Sequence, residues 1–182
     1  MIRRFIAAFM MSSLLSPGHA QPAAPSLHGS LSWHGHGALR IGMSRRAFHA
    51  AGFALMPIGG GTARDPSAAS FDWRGCVELP LRGAPGWQAM FEDGLLVRLV
   101  VTDPSIATRA GVAVGTDEAS AHRAYGRTLD VSRQKYNERR RNLALVSHDG
   151  RHGFVFAIEN GKVVAIRAGL AEAVSHDSGC PC

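Results

Sequence analysis

Nine histidines stand in the chain, and four of them, His28, His34, His36 and His49, crowd into one short stretch. Imidazole is the commonest biological ligand for copper and zinc, and side chains two apart on an extended strand share a face. His34-Gly35-His36 thus offers two imidazoles to one ion, which makes His34 and His36 the candidate ligands of a copper- or zinc-binding protein. No thiolate or carboxylate stands at ligand spacing beside them, so the pair is not a complete metal centre.

A second concentration is basic: Arg133, Lys135, Arg139, Arg140 and Arg141, interleaved with Tyr136 and Asn137. Arginine forks hold carboxylates and phosphates through two parallel hydrogen bonds. The segment is therefore a candidate surface for an acidic protein or an anionic envelope component. The competing reading is a solvated connection whose charges keep a sheet edge from pairing with other chains.

Catalytic signatures are missing. Ser147-His148-Asp149 contains triad residue types, but neighbours on a turn cannot line up hydroxyl, imidazole and carboxylate, because triads are made by tertiary geometry. There is no nucleophile elbow, phosphate loop, H-E-x-x-H or dinucleotide fingerprint. No enzyme activity and no cofactor are expected.

The leader decides where this chemistry would operate. Arg3 and Arg4, the apolar run Phe5 to Leu15, helix-breaking Pro17-Gly18 and a small-residue site ending at Ala20 form the order of a secretory signal peptide over 1–20. The apolar run is shorter than the about 20 residues that span a bilayer. No cysteine follows the cleavage site closely, so no lipid anchor is expected. Loss of Arg3 and Arg4 lowers the formal net charge from +6 to +4. A periplasmic or secreted location and that modest charge argue against a nucleic-acid partner.

Cys76, Cys180 and Cys182 would then occupy an oxidising compartment. Pro181 alone separates the last two, a spacing that strains a direct bridge and favours a bond back to Cys76. Cys76–Cys180 is the expected pairing, with Cys182 left over. It would close a loop of about a hundred residues, stabilising by roughly 4 to 5 kcal/mol in the chain-entropy picture.

The elements that must position these groups follow from turn and cap signals. Residues 21–36, rich in Pro, Ala, Ser and Gly, read as a flexible His-containing arm. Ser44 caps a short helix that stops at Gly52; Thr116 or Asp117 caps a second that stops at Gly126. Asp93-Gly94, Asn160-Gly161 and Asp149-Gly150, between apolar runs, are hairpin turns. Helix and hairpin recur in the same order, which divides the chain into a first α+β repeat over 37–105 and a second over 106–182. The expected fold is α+β: two repeats of a short helix plus antiparallel meander, with the helices on one face of the sheet. Trp87, Met90, Phe91, Leu96, Leu99, Phe154, Phe156, Ile158, Val164 and Ile166 are the expected core. Trp33 and Trp73, in loop-like sequence, are candidate exposed contacts. Residues 58–75, with Gly59-Gly60-Gly61, read as a surface loop.

Gly42-Met43-Ser44 and Gly115-Thr116-Asp117, each opening a short helix that closes on Gly, resemble the tandem repeat of the β-lactamase-inhibitory-protein fold. One unit of similar shape occurs in the small lipoprotein of the outer-membrane assembly machinery. Thr108 to Thr116, Tyr125-Gly126, Gly161 to Gly169 and Gly179-Cys180 also resemble the pattern of uncharacterised exported bacterial proteins, which implies the same Cys76–Cys180 bond. Together these features imply an exported binding or inhibitor-like module that engages an envelope protein or anionic envelope component.

Overall fold

The computed structural model describes residue 27 and residues 29–57, 72–135 and 137–180. The signal-peptide segment, His28, the Gly59–Gly61 stretch, Tyr136 and Cys182 lie outside the described residues.

A two-stranded ribbon, β1 (Gly35–His36) and β2 (Leu39–Arg40), leads into α1 (Arg45–Ala50). Ser44 caps α1 by accepting the Ala47 N–H at 3.3 Å. β3 (Cys76–Pro80), β4 (Trp87–Glu92) and β5 (Leu95–Val101) form an antiparallel meander. α2 (Glu118–Tyr125) follows, with Asp117 accepting the Ser120 N–H at 2.8 Å and Glu118 favourably placed in its positive first turn. β6 (Asp130–Arg133), β7 (Arg140–Val146), β8 (His152–Glu159) and β9 (Lys162–Leu170) complete the sheet, and α3 (Ala171–Ser175) ends the regular structure. The seven strands lie in the order β3-β4-β5-β9-β8-β7-β6, all antiparallel. The class is therefore α+β. No helix among the described residues is long and apolar enough to cross a membrane.

The β4–β5 and β8–β9 turns take left-handed backbone at both central residues: φ +47° and +78° at Asp93-Gly94, +50° and +72° at Asn160-Gly161. That conformation matches the twist of the flanking strands and favours Asp or Asn followed by Gly. Both hairpins carry a register irregularity at the corresponding place, Met90/Phe91 and Ala157/Ile158. Each also anchors its helix in the same way. The Arg45 N–H donates to Gly94 O and the Glu118 N–H to Gly161 O, both at 2.9 Å; the Gly42 N–H reaches Leu96 O at 2.7 Å and the Gly115 N–H reaches Val163 O at 2.8 Å. The shift at Ala157/Ile158 also corrects one core assignment, since Val163 is buried where simple alternation selects Val164.

Phe48 of α1 and Ala121 of α2 pack with Phe91, Leu99, Phe156 and Ile166 on one face of the sheet. The helices do not all share that face. Met90 and Val97 point the other way and are covered by Ala173 of α3, with Cys76 and Cys180 beside them. The reason lies in the strands: β8 is buried at six successive positions, Gly153 to Ile158, so both of its faces need cover. Cys76 and Cys180 are bonded, joining α3's trailing segment to the edge strand β3.

Residues 29–36, which composition assigns to a flexible arm, are packed in part against the rest of the protein. Leu31 is fully buried and its N–H donates to Ala107 O at 2.8 Å, while His36 is 1% exposed against Trp87. Bulky Leu31, Trp33 and His36 bury enough surface to order residues that their Pro, Ala, Ser and Gly neighbours would leave free.

Candidate ligand-binding cleft

The segment bearing Leu31 and Trp33 runs alongside Ala107-Thr108, and the turn that follows carries Arg109 and Ala110. Tyr125, the last residue of α2, and Phe154 of β8 approach from the other side. Together they line an open cleft of about 430 Å³. Its walls are aromatic. Ring centres lie 5.6 Å apart for Trp33 and Phe154 and 6.5 Å for Tyr125 and Phe154, while Phe156 backs Tyr125 at 5.4 Å.

The side-chain donors of Tyr125, Trp33 and Ser32 are engaged within the protein. The Tyr125 hydroxyl donates to Thr108 Oγ1 at 2.7 Å, and that oxygen accepts the Val112 N–H at 3.2 Å. Burial raises the Tyr125 pKa, with the Thr108 bond opposing, so the phenol stays a neutral donor. Trp33 Nε1–H donates to His34 Nε2 at 3.0 Å, and Ser32 Oγ donates to Gly35 O at 2.8 Å. Arg109 is exposed at the rim and forms no ion pair among the described residues.

Beside the cleft, the rings of His34 and His152 meet edge-on with centres 4.4 Å apart. Burial lowers the His152 pKa, the neighbouring His34 and Arg151 lower it further, and Asp149 opposes them. This arrangement divides the proposed metal-binding pair. His34 faces His152, whereas His36 turns into the core with its ring centre 5.1 Å from Trp87. Gly35, at φ +125° and with Leu39 O only 2.0 Å from where a Cβ would sit, breaks the regular extension that two ligands on one face require. No group of three or more metal-ligating side chains occurs among the described residues.

The basic segment is partly neutralised from within. Arg140 directs Nε and Nη2 at Glu159 Oε2, at 3.1 and 2.9 Å, and Arg141 pairs with Glu118 at 2.6 Å. Arg133 lies on the exposed edge strand β6 and Arg139 on the preceding connection to β7, while the Lys135 N–H is taken by Asp177 at 2.6 Å. Trp73 departs from its expected exposure. It is 7% exposed, with Phe91 at 5.1 Å and the Arg45 guanidinium 5.8 Å over its ring.

No protein-family model matches the chain, and no curated protein matches its sequence. Among solved structures, the crystal structure of the uncharacterized protein yfeY from Escherichia coli is similar at 16% identity, covering 78% of this chain and 99% of that one with a TM-score of 0.44.

A polar cluster under α3 is absent from the reading of the sequence. Arg98 directs Nε and Nη2 at Glu78 Oε1, at 3.2 and 2.8 Å, and Nη1 at the carbonyls of Ala173 and His176, at 2.6 and 3.1 Å. Arg167 bonds the same His176 carbonyl, Asn142 Oδ1 at 3.0 Å and Asp177 Oδ1 at 3.3 Å. Burial would raise the Asp177 pKa, but the Lys135 N–H, Asn142 and Arg167 outweigh it and hold the carboxyl below its ordinary value. A lone arginine inside each of the apolar strands Leu95–Val101 and Lys162–Leu170 is the signal that locates this cluster.

Proposed function

We propose that this protein is an exported, non-enzymatic binding module of the bacterial envelope, and that its ligand enters the cleft between Trp33, Tyr125 and Phe154. The observation that carries the reading is a preformed cleft lined by Trp33, Tyr125 and Phe154 in which the side-chain donors of Tyr125, Trp33 and Ser32 are bonded within the protein. Concave, mostly apolar sites with few polar groups are where small ligands bind. The leader over 1–20 and the Cys76–Cys180 bond support a periplasmic or secreted location. The matched helix–hairpin junctions support descent from a duplicated unit like that of the inhibitory-protein fold, with each half covering apolar surface that the other leaves open.

The cleft takes precedence over the Arg133 to Arg141 segment because two of that segment's five cations already face acids of this chain. It also takes precedence over the sheet faces, which α1, α2 and α3 cover.

Titration with the neutral fluorescent probe N-phenylnaphthylamine tests the reading. Wild type is expected to bind one probe saturably. Trp33→Ala, and Ala110→Trp filling the cavity from its exposed side, should each weaken binding at least tenfold, whereas Arg133→Ala with Arg139→Ala should leave it unchanged. Equal binding by wild type and both cleft variants would refute the assignment.

A further inference from the structure

We infer that the cleft selects a small carboxylate with an aromatic or branched apolar body, and that Arg109 receives the carboxylate. The inference rests on the cleft being the ligand site and names the class of ligand it takes.

The Tyr125 hydroxyl donates its hydrogen bond to Thr108 Oγ1, the Trp33 indole N–H donates to His34 Nε2, and the Ser32 hydroxyl donates to Gly35 O. Tyr125 and Trp33 therefore present ring faces to a ligand, alongside carbon of Leu31, Ala110 and Phe154, and the Tyr125 and Ser32 hydroxyls keep only acceptor lone pairs. A ligand body rich in hydrogen-bond acceptors would lose its water while the side-chain donors of Tyr125, Trp33 and Ser32 are already taken. Arg109 is the exception on the lining, with five guanidinium donors and no acid paired to it among the described residues.

Charge complementarity settles the sign of the ligand's head group. No residue lining the cavity is acidic. His34, His152 and Arg151 stand beside it, and the Asp149 carboxylate next to His152 accepts from Ser147 Oγ at 2.6 Å and from the Arg151 N–H at 3.1 Å. A cation would meet Arg109 with nothing to balance it, and a neutral ligand would leave the fork unused. A carboxylate fits it through two parallel hydrogen bonds. Size favours a small molecule over a protein chain, because about 430 Å³ lies toward the low end of the about 300–1,000 Å³ of ligand cavities.

The test is calorimetric titration of the full chain with phenylpropanoate and with phenylpropanamide, which share a body and differ in charge. Wild type is expected to bind the acid about tenfold more tightly than the amide, with the difference shrinking at high salt. Arg109→Gln should abolish the difference; Trp33→Ala should weaken both. Equal affinity for acid and amide, unaltered in Arg109→Gln, overturns the carboxylate inference while leaving the cleft as the site. If neither compound binds a wild type that still takes up N-phenylnaphthylamine, the carboxylate inference falls and the cleft stands; if that probe also fails to bind, both fall. A phenylalanine-terminated peptide acid binding at least tenfold more tightly than phenylpropanoate overturns the small-molecule assignment in favour of a chain terminus.

Discussion

Arg98 shows at the scale of one residue why a charge can sit inside this sheet. Its side chain is 2% exposed, yet three of its nitrogens are bonded and Glu78 supplies the opposing charge. Removing one member of such a buried pair leaves an uncompensated charge at a cost of about 3–5 kcal/mol. Glu78→Ala is accordingly expected to lower stability by about that amount, read from the midpoint of urea unfolding. Arg74→Ala should leave the same midpoint unmoved, because the Arg74–Asp72 pair stands in solvent at 90% and 63% exposure. Counting ion pairs would rank these two sites together, and burial separates them.

At the scale of elements, the segment from α3 to Cys180 covers Met90 and Val97, and its hold comes from elsewhere in the chain. Five helical residues are too few to persist alone. Arg98 and Arg167 both grip the His176 carbonyl, and the bond to Cys76 spans 104 positions. For a closed loop of that length the chain-entropy contribution is about 4–5 kcal/mol. Cys180→Ser should therefore lower the unfolding free energy by up to that amount. Hydrogen exchange should rise first in α3 while α1 and α2 keep their protection; uniform loss across all three helices would show that the bond does not act through this segment. Here Gly169 matters, because a Cβ on it would run into Val97 O, where β9 pairs with β5 just before α3.

For the whole molecule, the direction of the pKa shifts predicts how stability depends on pH. His152 has a folded-state pKa below its ordinary 6.5, so in the interval between the two values the unfolded chain binds more protons and stability rises with pH. Read downward, this contribution is complete above 6.5 and is lost as pH falls through the folded value. Asp103, Asp117, Asp149 and Asp177 are held below 3.8, chiefly by hydrogen bonds to Ser105, Ser120 and Ser147 in the first three and against burial in Asp177. Their contribution is present above 3.8 and lost below it. The melting temperature should therefore fall in two stages, the first beginning near 6.5 and the second below 3.8. His152→Gln should remove the first stage alone, and a first stage that persists in this variant would assign it to another group.

Much of the scaffold was legible in local sequence because caps and two-residue turns are decided by nearest neighbours. Ser44, Asp117, Asp93-Gly94 and Asn160-Gly161 act where their types indicate, and Cys76 meets Cys180 as their spacing suggests. Tertiary packing decided what local chemistry leaves open: that α3 takes the second sheet face, that His34 meets His152 instead of joining His36, and that Arg140 and Arg141 turn to acids of the same chain. The cleft belongs to the second group, because Trp33, Arg109, Tyr125 and Phe154 lie far apart along the chain and only the folded sheet brings them around one cavity.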